Sequence, residues 1–243
     1  MKKLWTPSKS LKNNSNLFKF EKFVSKKYEI NLNSNYQEIL NWSIKNSPYF
    51  WDAVWDFCKI KGIKGKKKII KSKIFYKNNF LPTHKLNFAE NLLSKNNTSK
   101  AITFISENGF KEIKTWKNLN KDTSKLIQLF KKIKIRSKDR VAGYMPNTIE
   151  NVEGFLATSA IGAIWSSCSL DFGINGVIER FSQINPKVLL VTDRYYYNGK
   201  EINILERIPE LLKKVKSIKY VIICNYPGKK YLKNSLKIKN VKF

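Results

Sequence analysis

The spacing of hydrophobic residues divides this chain into two parts. Up to about residue 60 the apolar side chains recur at helical spacing. Ser47-Pro48 reads as a cap followed by a first-turn proline, and Phe50, Trp51 and Val54 then form a heavy apolar face. We interpret this aromatic stripe as core packing, because Phe and Trp dominate packing energetics. Residues 1–73 are predicted to form a helical cap on a larger domain, and an irregular segment follows to residue 98.

Beyond residue 98 the pattern becomes that of an α/β protein. A strand at 101–105 precedes an Asn-Gly hairpin signal. Strands and helices then alternate; the predicted strands are 140–144, 163–168, 188–191 and 220–224, and the predicted helices are 147–162, 175–184 and 204–215. Strands joined by crossover helices of this length form a parallel sheet with helices on its faces. Small residues such as Gly154 and Ala157 predict close packing of the first of these helices. A last strand is predicted near 236–241.

We therefore predict an α/β fold with two parts. The first is an N-terminal helical cap region, residues 1–98. The second is part of a parallel-sheet large domain, residues 99–243.

The formal net charge of +29 invites a nucleic-acid interpretation. However, 42 of the 47 basic residues are Lys, spread along the whole chain, and only five are Arg. Bidentate recognition of phosphate and guanine favours Arg. We interpret the charge as general lysine enrichment, and a basic nucleic-acid-binding protein remains the weaker alternative. The densest run, 64–73, is expected to be a solvated loop.

Cysteine and histidine content argues against a metal site. Cys58, Cys168 and Cys224 lie far apart, and His84 is the only histidine. We expect all three cysteines to be buried packing residues, unpaired as in a reducing cytosol. No stretch reaches the ~18 apolar residues of a membrane span, and the N-terminus lacks the apolar run of a secretory signal. The sequence predicts a cytoplasmic protein with no metal site and no membrane contact.

Sequence motifs for catalysis are missing. The chain has no G-x-x-x-x-G-K-[ST], G-x-G-x-x-G or G-x-S-x-G pattern, so no catalytic residue is predicted. What remains are two polar segments, 166–173 and 192–200, at the predicted carboxyl ends of parallel strands, where open α/β sheets bind ligands. Arg194 and Lys200 are able to meet a phosphate, and the tyrosines between them to stack on a base. Alternatively, the tyrosines pack the sheet edge and both cations are solvated.

Six motifs, in order, resemble one enzyme family. Together they resemble the N-terminal third of acetoacetate–CoA ligases (acetoacetyl-CoA synthetases), which are adenylate-forming enzymes related to acetyl-CoA synthetase. The motifs are Leu4-Trp-Thr-Pro7, Phe50-Trp-Asp-Ala-Val-Trp-Asp-Phe57, Leu86-Asn-Phe-Ala-Glu-Asn-Leu-Leu93, Asp139-Arg-Val-Ala-Gly-Tyr-Met-Pro-Asn147, residues 157–173 and Tyr197-Asn-Gly-Lys200. The segment 161–173 is the most specific and favours the acetoacetate branch.

This resemblance implies a two-step ligase reaction. Acetoacetate attacks the α-phosphorus of Mg-ATP, which gives acetoacetyl-adenylate and diphosphate, and coenzyme A then displaces AMP through its thiol. ATP, Mg²⁺ and coenzyme A are the implied cofactors of the complete enzyme, and acetoacetate is its implied small-molecule substrate.

The resemblance also implies a coenzyme A-binding surface. The loop that contains Ser169, Leu170 and Asp171 matches a loop near the coenzyme A site. The segment from Tyr197 to Lys200 matches one that contributes cations to the nucleotide end of coenzyme A. Acetyl-CoA synthetases have arginines at both of those positions, whereas here only Lys200 keeps the charge.

Several family features are missing from these 243 residues. They are the Ser/Thr/Gly-rich loop that wraps the ATP phosphates, the aromatic adenine motif, the ribose-binding aspartate and the C-terminal domain with its adenylation lysine. We therefore expect an incomplete AMP-binding domain of the adenylate-forming type, an N-terminal fragment that is inactive alone. A separate chain with the missing C-terminal half is an open possibility as a partner. The alternative from a different class is a stand-alone coenzyme A- or nucleotide-binding module.

Overall fold

The computed structural model describes residues 4–33, 35–230 and 242. The chain separates into two compact units, Met1–Leu86 and Asn87–Phe243. No helix in the described ranges is long and apolar enough to cross a membrane.

The first unit is mainly helical. Its elements are α1 (Lys9–Asn14), α2 (Asn16–Tyr28), α3 (Tyr36–Lys45), α4 (Ser47–Phe57), β1 (Gly62–Ile63), β2 (Ile69–Ile70), a 3₁₀ turn (Phe75–Lys77), β3 (Asn79–Phe80) and β4 (Lys85–Leu86). Strand β1 pairs with β4, and β2 pairs with β3, both antiparallel. Phe50 of the aromatic stripe on α4 packs as predicted and meets buried Phe20 edge to face at 5.7 Å between ring centroids, whereas Trp51 is 43% exposed. The predicted helical cap is confirmed.

A cluster of opposite charges lies beside α4. The carboxylate of Asp52 is 7% exposed and lies 2.9 Å from Lys27 Nζ, 3.0 Å from Lys64 Nζ and 3.5 Å from Lys68 Nζ. The expectation of a solvated loop at 64–73 is therefore wrong for Lys64 and Lys68. The run contains a short strand, and its geometry directs two ammonium groups toward a buried carboxylate.

The second unit holds the parallel sheet. Its elements are α5 (Phe88–Leu92), β5 (Lys100–Ile105), β6 (Lys111–Thr115), α6 (Trp116–Lys132), β7 (Arg140–Tyr144), α7 (Ile149–Ala160), β8 (Ile164–Cys168), α8 (Ile174–Ile184), β9 (Val188–Thr192), β10 (Arg194–Tyr197), β11 (Lys200–Asn203), a 3₁₀ turn (Leu205–Arg207), α9 (Ile208–Lys214) and β12 (Tyr220–Cys224).

The main sheet has the strand order β12-β9-β7-β8, and every neighbouring pair in it is parallel. Alternate residues of the strands face opposite sides. One side packs against α6 and α7, and the other packs against α8 and α9. The predicted α/β class with a parallel sheet is confirmed. Strand β8 lies on one side of β7, and the next strand, β9, lies on the other side. The sheet therefore has a topological switch point at the carboxyl ends of β7 and β9.

Helix α7 approaches the sheet unusually closely. Gly154 lies over Leu190 and Trp165, so that a Cβ atom added there would stand 2.6 Å from Leu190 Cδ2 and 3.0 Å from Trp165 Cη2. The Trp165 ring also covers Gly143 of β7. The small residues of the 147–162 segment therefore serve the close packing that the sequence predicts.

Asn87 closes the ends of two helices. Its Oδ1 accepts a hydrogen bond from the backbone N–H of Glu90 at the start of α5. Its Nδ2 donates to the carbonyl oxygens of Ser159 and Ala160 at the end of α7, at 3.1 Å and 3.0 Å. One amide thus satisfies backbone groups that helix ends leave unpaired.

Two regions differ from the predicted pattern. The segment 192–200 is largely a β-hairpin, in which β10 pairs with β11 and Gly199 takes a positive φ in the turn. The strand predicted near 236–241 lies outside the described residues. Lys242 forms a parallel bridge beside Tyr220 of β12.

Candidate functional site

A cleft of about 300 Å³ lies at the carboxyl edge of the main sheet. It is bounded by the segments that follow β7 and β8 and by the hairpin strand β10. The lining residues are Met145, Pro146, Asn147, Asn151, Ser167, Cys168, Ser169, Leu170, Asp171, Tyr195, Tyr196 and Tyr197. The cleft therefore adjoins the switch point, where open α/β sheets place their ligands.

The loop at 169–172 forms one wall of this cleft. The side chain of Leu170 is 3% exposed and anchors the loop in the core beneath. Ser169 Oγ donates a hydrogen bond to Asp171 Oδ2 at 2.9 Å, so these two polar groups are held together on the exposed side of the loop. The wall thus offers a hydroxyl and a carboxylate over an apolar base.

Hydrogen bonds from three side chains hold the carbonyl groups of the same loop. Arg207 Nη1 donates to Leu170 O at 3.2 Å and to Tyr144 Oη at 2.9 Å. Tyr144 Oη donates to Phe172 O at 3.4 Å, and Tyr195 Oη donates to Leu170 O at 3.5 Å. Burial, followed by the carboxylate of Asp171, raises the pKa of Tyr195, which keeps its phenol a donor at neutral pH.

The tyrosine triplet of β10 changes from buried to exposed along the strand. Tyr195 is buried, and Tyr196 is half-buried with its hydroxyl donating to Glu201. Tyr197 is 56% exposed at the mouth of the cleft. The expectation that tyrosines pack the sheet edge describes Tyr195, whereas the ring of Tyr197 is open to a ligand.

The two predicted cations have very different surroundings. The guanidinium of Arg194 lies 3.1 Å from Asp193 Oδ2 and 3.0 Å from Glu201 Oε1, and the residue is 7% exposed. Burial alone would lower the pKa of Arg194, but the adjacent Asp193 carboxylate outweighs burial and raises it. Lys200 is exposed and lies opposite Tyr197 in the hairpin register. Among the described residues, nothing forms an ion pair with its ammonium group.

The structure therefore brings most of the sequence-predicted site residues together. Ser169, Leu170, Asp171 and Tyr197 line one cleft, and Lys200, which does not line it, pairs with Tyr197 in the hairpin. Arg194 is not among the lining residues. Their roles in binding stay predictions.

Sequence reasoning missed the β7–α7 side of the cleft. Asn147 and Asn151 line it, and the buried Oδ1 atom of Asn151 finds no hydrogen-bond partner among the described residues. The available signal was the position of these asparagines, since Asn147 lies three residues beyond the end of β7 and Asn151 lies in the first turn of α7.

Within the described residues, no group of three or more His, Cys, Asp or Glu side chains is arranged to hold a metal ion. The cleft also lacks a glycine-rich phosphate loop. No lysine or arginine is among its lining residues, so they do not fit the triphosphate of Mg-ATP.

Comparisons with known proteins agree with this architecture. The model of the family described as "AMP-binding enzyme" matches residues 93–240. The acetoacetyl-coenzyme A synthetase of Rhizobium meliloti (strain 1021) is 37% identical over 210 residues, which are 86% of this chain and 32% of the relative. The acetoacetyl-CoA synthetase of Danio rerio is 34% identical over 246 residues, covering 100% of this chain and 36% of the relative.

A solved structure gives the same result. Acetoacetyl-CoA synthetase from Streptomyces lividans superimposes with a TM-score of 0.88 at 26% sequence identity, over 96% of this chain and 36% of that one. The chain thus spans about a third of the length of the relatives it matches. The resemblance to acetoacetyl-CoA synthetases is confirmed, and with a family match over more than half of its residues this chain belongs to the AMP-binding enzymes.

Proposed function

We propose that this chain forms the coenzyme A-side surface of an acetoacetate–CoA ligase. The observation that carries the proposal is the cleft lined by both the 169–172 loop and Tyr197, with Lys200 paired to Tyr197 in the hairpin. The proposed substrates, acetoacetate and coenzyme A, are inferred from relatives named acetoacetyl-CoA synthetase. In the complete enzyme, coenzyme A supplies the thiol that receives the acyl group.

The chemistry of the cleft suggests which part of coenzyme A it takes. The exposed ring of Tyr197 offers an apolar face on which an adenine base stacks, and each such contact is worth about 1–3 kcal/mol. The exposed ammonium of Lys200 attracts a phosphate. The carboxylate of Asp171 repels a phosphate, so we place the phosphate at the Lys200 end of the cleft and the uncharged parts of the ligand beside Ser169 and Asp171.

We do not assign Arg194 to phosphate binding, because its guanidinium is already engaged by other groups of the protein. Its N–H groups are directed at Asp193, Glu201 and the carbonyl of Lys230. Moving it toward a phosphate would leave the fully buried Asp193 without the cation that faces it, which costs several kcal/mol. We therefore assign Arg194 to support of the hairpin that presents Tyr197 and Lys200.

We also propose that these 243 residues alone do not adenylate acetoacetate. Adenylation depends on charged groups positioned around the triphosphate, and the sequence holds no recognisable set of them. Such groups would come from a further segment or from a separate chain that acts as the partner of this one. The check is ATP–diphosphate exchange with acetoacetate: we expect no exchange above background, and clear turnover by the isolated chain would refute this part.

Titration with coenzyme A tests the binding surface directly. We expect weak binding, with Kd on the order of 1 mM, because half of a ligand site that is completed elsewhere gives little affinity. Lys200→Ala should weaken binding by about 2–5-fold, the range of an exposed charge pair, and the effect should shrink with added salt. Lys213→Ala is the matched control, since this lysine is exposed on α9 and does not line the cleft.

The same titration separates the competing functions. Micromolar affinity for coenzyme A would favour a stand-alone coenzyme A-binding module instead of part of a ligase. A complete lack of response at millimolar coenzyme A, or an equal loss in the Lys200 and Lys213 variants, would exclude the proposed surface.

A further inference from the structure

The wall of the cleft formed by the 169–172 loop is held from behind by three side chains. They are Tyr144 at the end of β7, Tyr195 in β10 and Arg207 in the 3₁₀ turn before α9. All three side chains lie outside the loop and outside the strand β8 and helix α8 that it joins. The loop is thus held, beside its own Ser169–Asp171 hydrogen bond, by groups 25 to 37 positions away in the sequence.

The hydrogen bonds around Arg207 form a chain with a defined direction. Tyr144 is fully buried, and its hydroxyl both accepts from Arg207 and donates to Phe172 O. The carbonyl of Leu170 has two lone pairs, and it accepts from Arg207 and from Tyr195. Arg207 thus orients the Tyr144 hydroxyl toward one loop carbonyl and binds a second one itself.

Removing Arg207 would affect both ends of this chain of contacts. The Leu170 carbonyl would lose its charged donor, and the Tyr144 hydroxyl would be free to turn toward a different acceptor. A hydrogen bond from a charged group contributes more than a neutral one, so Arg207 is the strongest of the three contacts.

We propose that Arg207 is a positioning residue, which holds the 169–172 loop in the shape that forms one wall of the cleft. Arg207 does not line the cleft, so it acts through the loop and not on the ligand. The effect on ligand binding rests on the proposed coenzyme A surface, whereas the effect on the loop does not.

Arg140 provides a matched control for the same chemistry at the opposite edge of the sheet. Its Nε donates to Ile184 O at 2.8 Å, and its Nη2 donates to Asn185 O at 3.2 Å. It starts β7, whereas the cleft lies beyond the other end of that strand. A variant of Arg140 therefore removes an equivalent guanidinium–carbonyl contact without touching the 169–172 loop.

The experiment compares native-state hydrogen exchange of the full chain with Arg207→Gln, Arg207→Lys, Tyr144→Phe and Arg140→Gln. In Arg207→Gln we expect the backbone amides of residues 170–173 to exchange roughly 10- to 100-fold faster, the factor expected for losing a charged hydrogen bond. Arg207→Lys should recover part of the protection, because its ammonium keeps several N–H donors. Tyr144→Phe should loosen the Phe172 end of the loop, and Arg140→Gln should leave 170–173 unchanged.

The outcomes separate the two proposals. Unchanged exchange at 170–173 in Arg207→Gln, or an equal increase in Arg140→Gln, would overturn the positioning role. If coenzyme A slows hydrogen exchange around the wild-type cleft and around the Arg207→Gln cleft equally, the loop's shape does not matter for binding, and the effect of Arg207 on ligand binding is overturned. If coenzyme A leaves the wild type unperturbed, the proposed surface fails, and the exchange data alone decide the role of Arg207.

Discussion

Replacing Gly154 by Ala should destabilise the second unit, against the usual effect of this substitution in a helix. Ala normally stabilises a helix interior by about 1 kcal/mol relative to Gly. Here the new Cβ would stand 2.6 Å from Leu190 Cδ2 and 3.0 Å from Trp165 Cη2. Overpacking of this kind costs about 1–3 kcal/mol, and the contact with a core leucine places Gly154 in the upper part of that range. The net expectation is a loss of about 1–2 kcal/mol.

Gly176→Ala in α8 is the matched control. A Cβ there would meet only Arg180 Nη1, at 3.5 Å, which is an ordinary contact with the end of a flexible side chain. The helix-propensity gain should survive, so this variant is expected to stabilise by about 0.5–1 kcal/mol. The two variants make the same chemical change with opposite expected signs.

Thermal unfolding followed by circular dichroism measures both variants. For a domain of this size each kcal/mol moves Tm by about 2–4 °C, so Gly154→Ala should lower Tm by several degrees and Gly176→Ala should raise it slightly. The Trp165→Phe background should relieve part of the Gly154→Ala loss, because the ring that the new methyl meets becomes smaller. A Gly154→Ala protein as stable as the wild type would refute the inferred closeness of α7 to the sheet.

Two further predictions concern charge and reactivity. Burial tends to raise the pKa of Asp52, but hydrogen bonds from Lys27 and Lys64 outweigh burial and hold this pKa well below its ordinary value. The ionised Asp52 carboxylate therefore stabilises the fold above about pH 4, and this contribution is lost as pH falls through the folded-state pKa. Asp52→Asn should therefore lower the stability of the first unit by about 2–3 kcal/mol at pH 7, the lysines being partly exposed, and a Tm difference from wild type that does not narrow below pH 4 would contradict this. In the native protein a thiol reagent at neutral pH should label the exposed Cys58 much faster than Cys224, because burial raises the pKa of Cys224 to about 12. Fast labelling that persists in Cys58→Ser would contradict this, since another thiol would then be the reactive one.

The parallel sheet was predictable because its signals are local. Buried apolar runs such as 188–191 and 220–224, separated by stretches with helical periodicity, fix both the type and the approximate bounds of the strands. The Asn-Gly turn after residue 105 likewise predicts the β5–β6 hairpin, because the turn needs a residue that accepts positive φ, which Gly109 provides.

Partners distant in sequence were not predictable in the same way. Nothing local shows that Arg207 contacts Tyr144, 63 residues away, or that Lys27 and Lys64 converge on one carboxylate. Arg194 looked available for a phosphate, since its pairing with Glu201 appears only once β10 and β11 form a hairpin. The expectation of three buried cysteines is confirmed for Cys168 and wrong for Cys58, which follows α4 at the surface of the first unit, while Cys224 is only half-buried.

The amide of Asn87 has a consequence for how the second unit opens. It binds the first turn of α5 and, 72 and 73 positions further along the chain, two carbonyl groups in the last turn of α7. Fraying at either helix end then exposes polar groups at the other, so local fluctuations there are cooperative and not independent. The asparagine in the Leu86-Asn-Phe-Ala-Glu motif thus has an architectural explanation that involves no substrate: it fastens the beginning of the second unit to a helix that lies directly on the sheet.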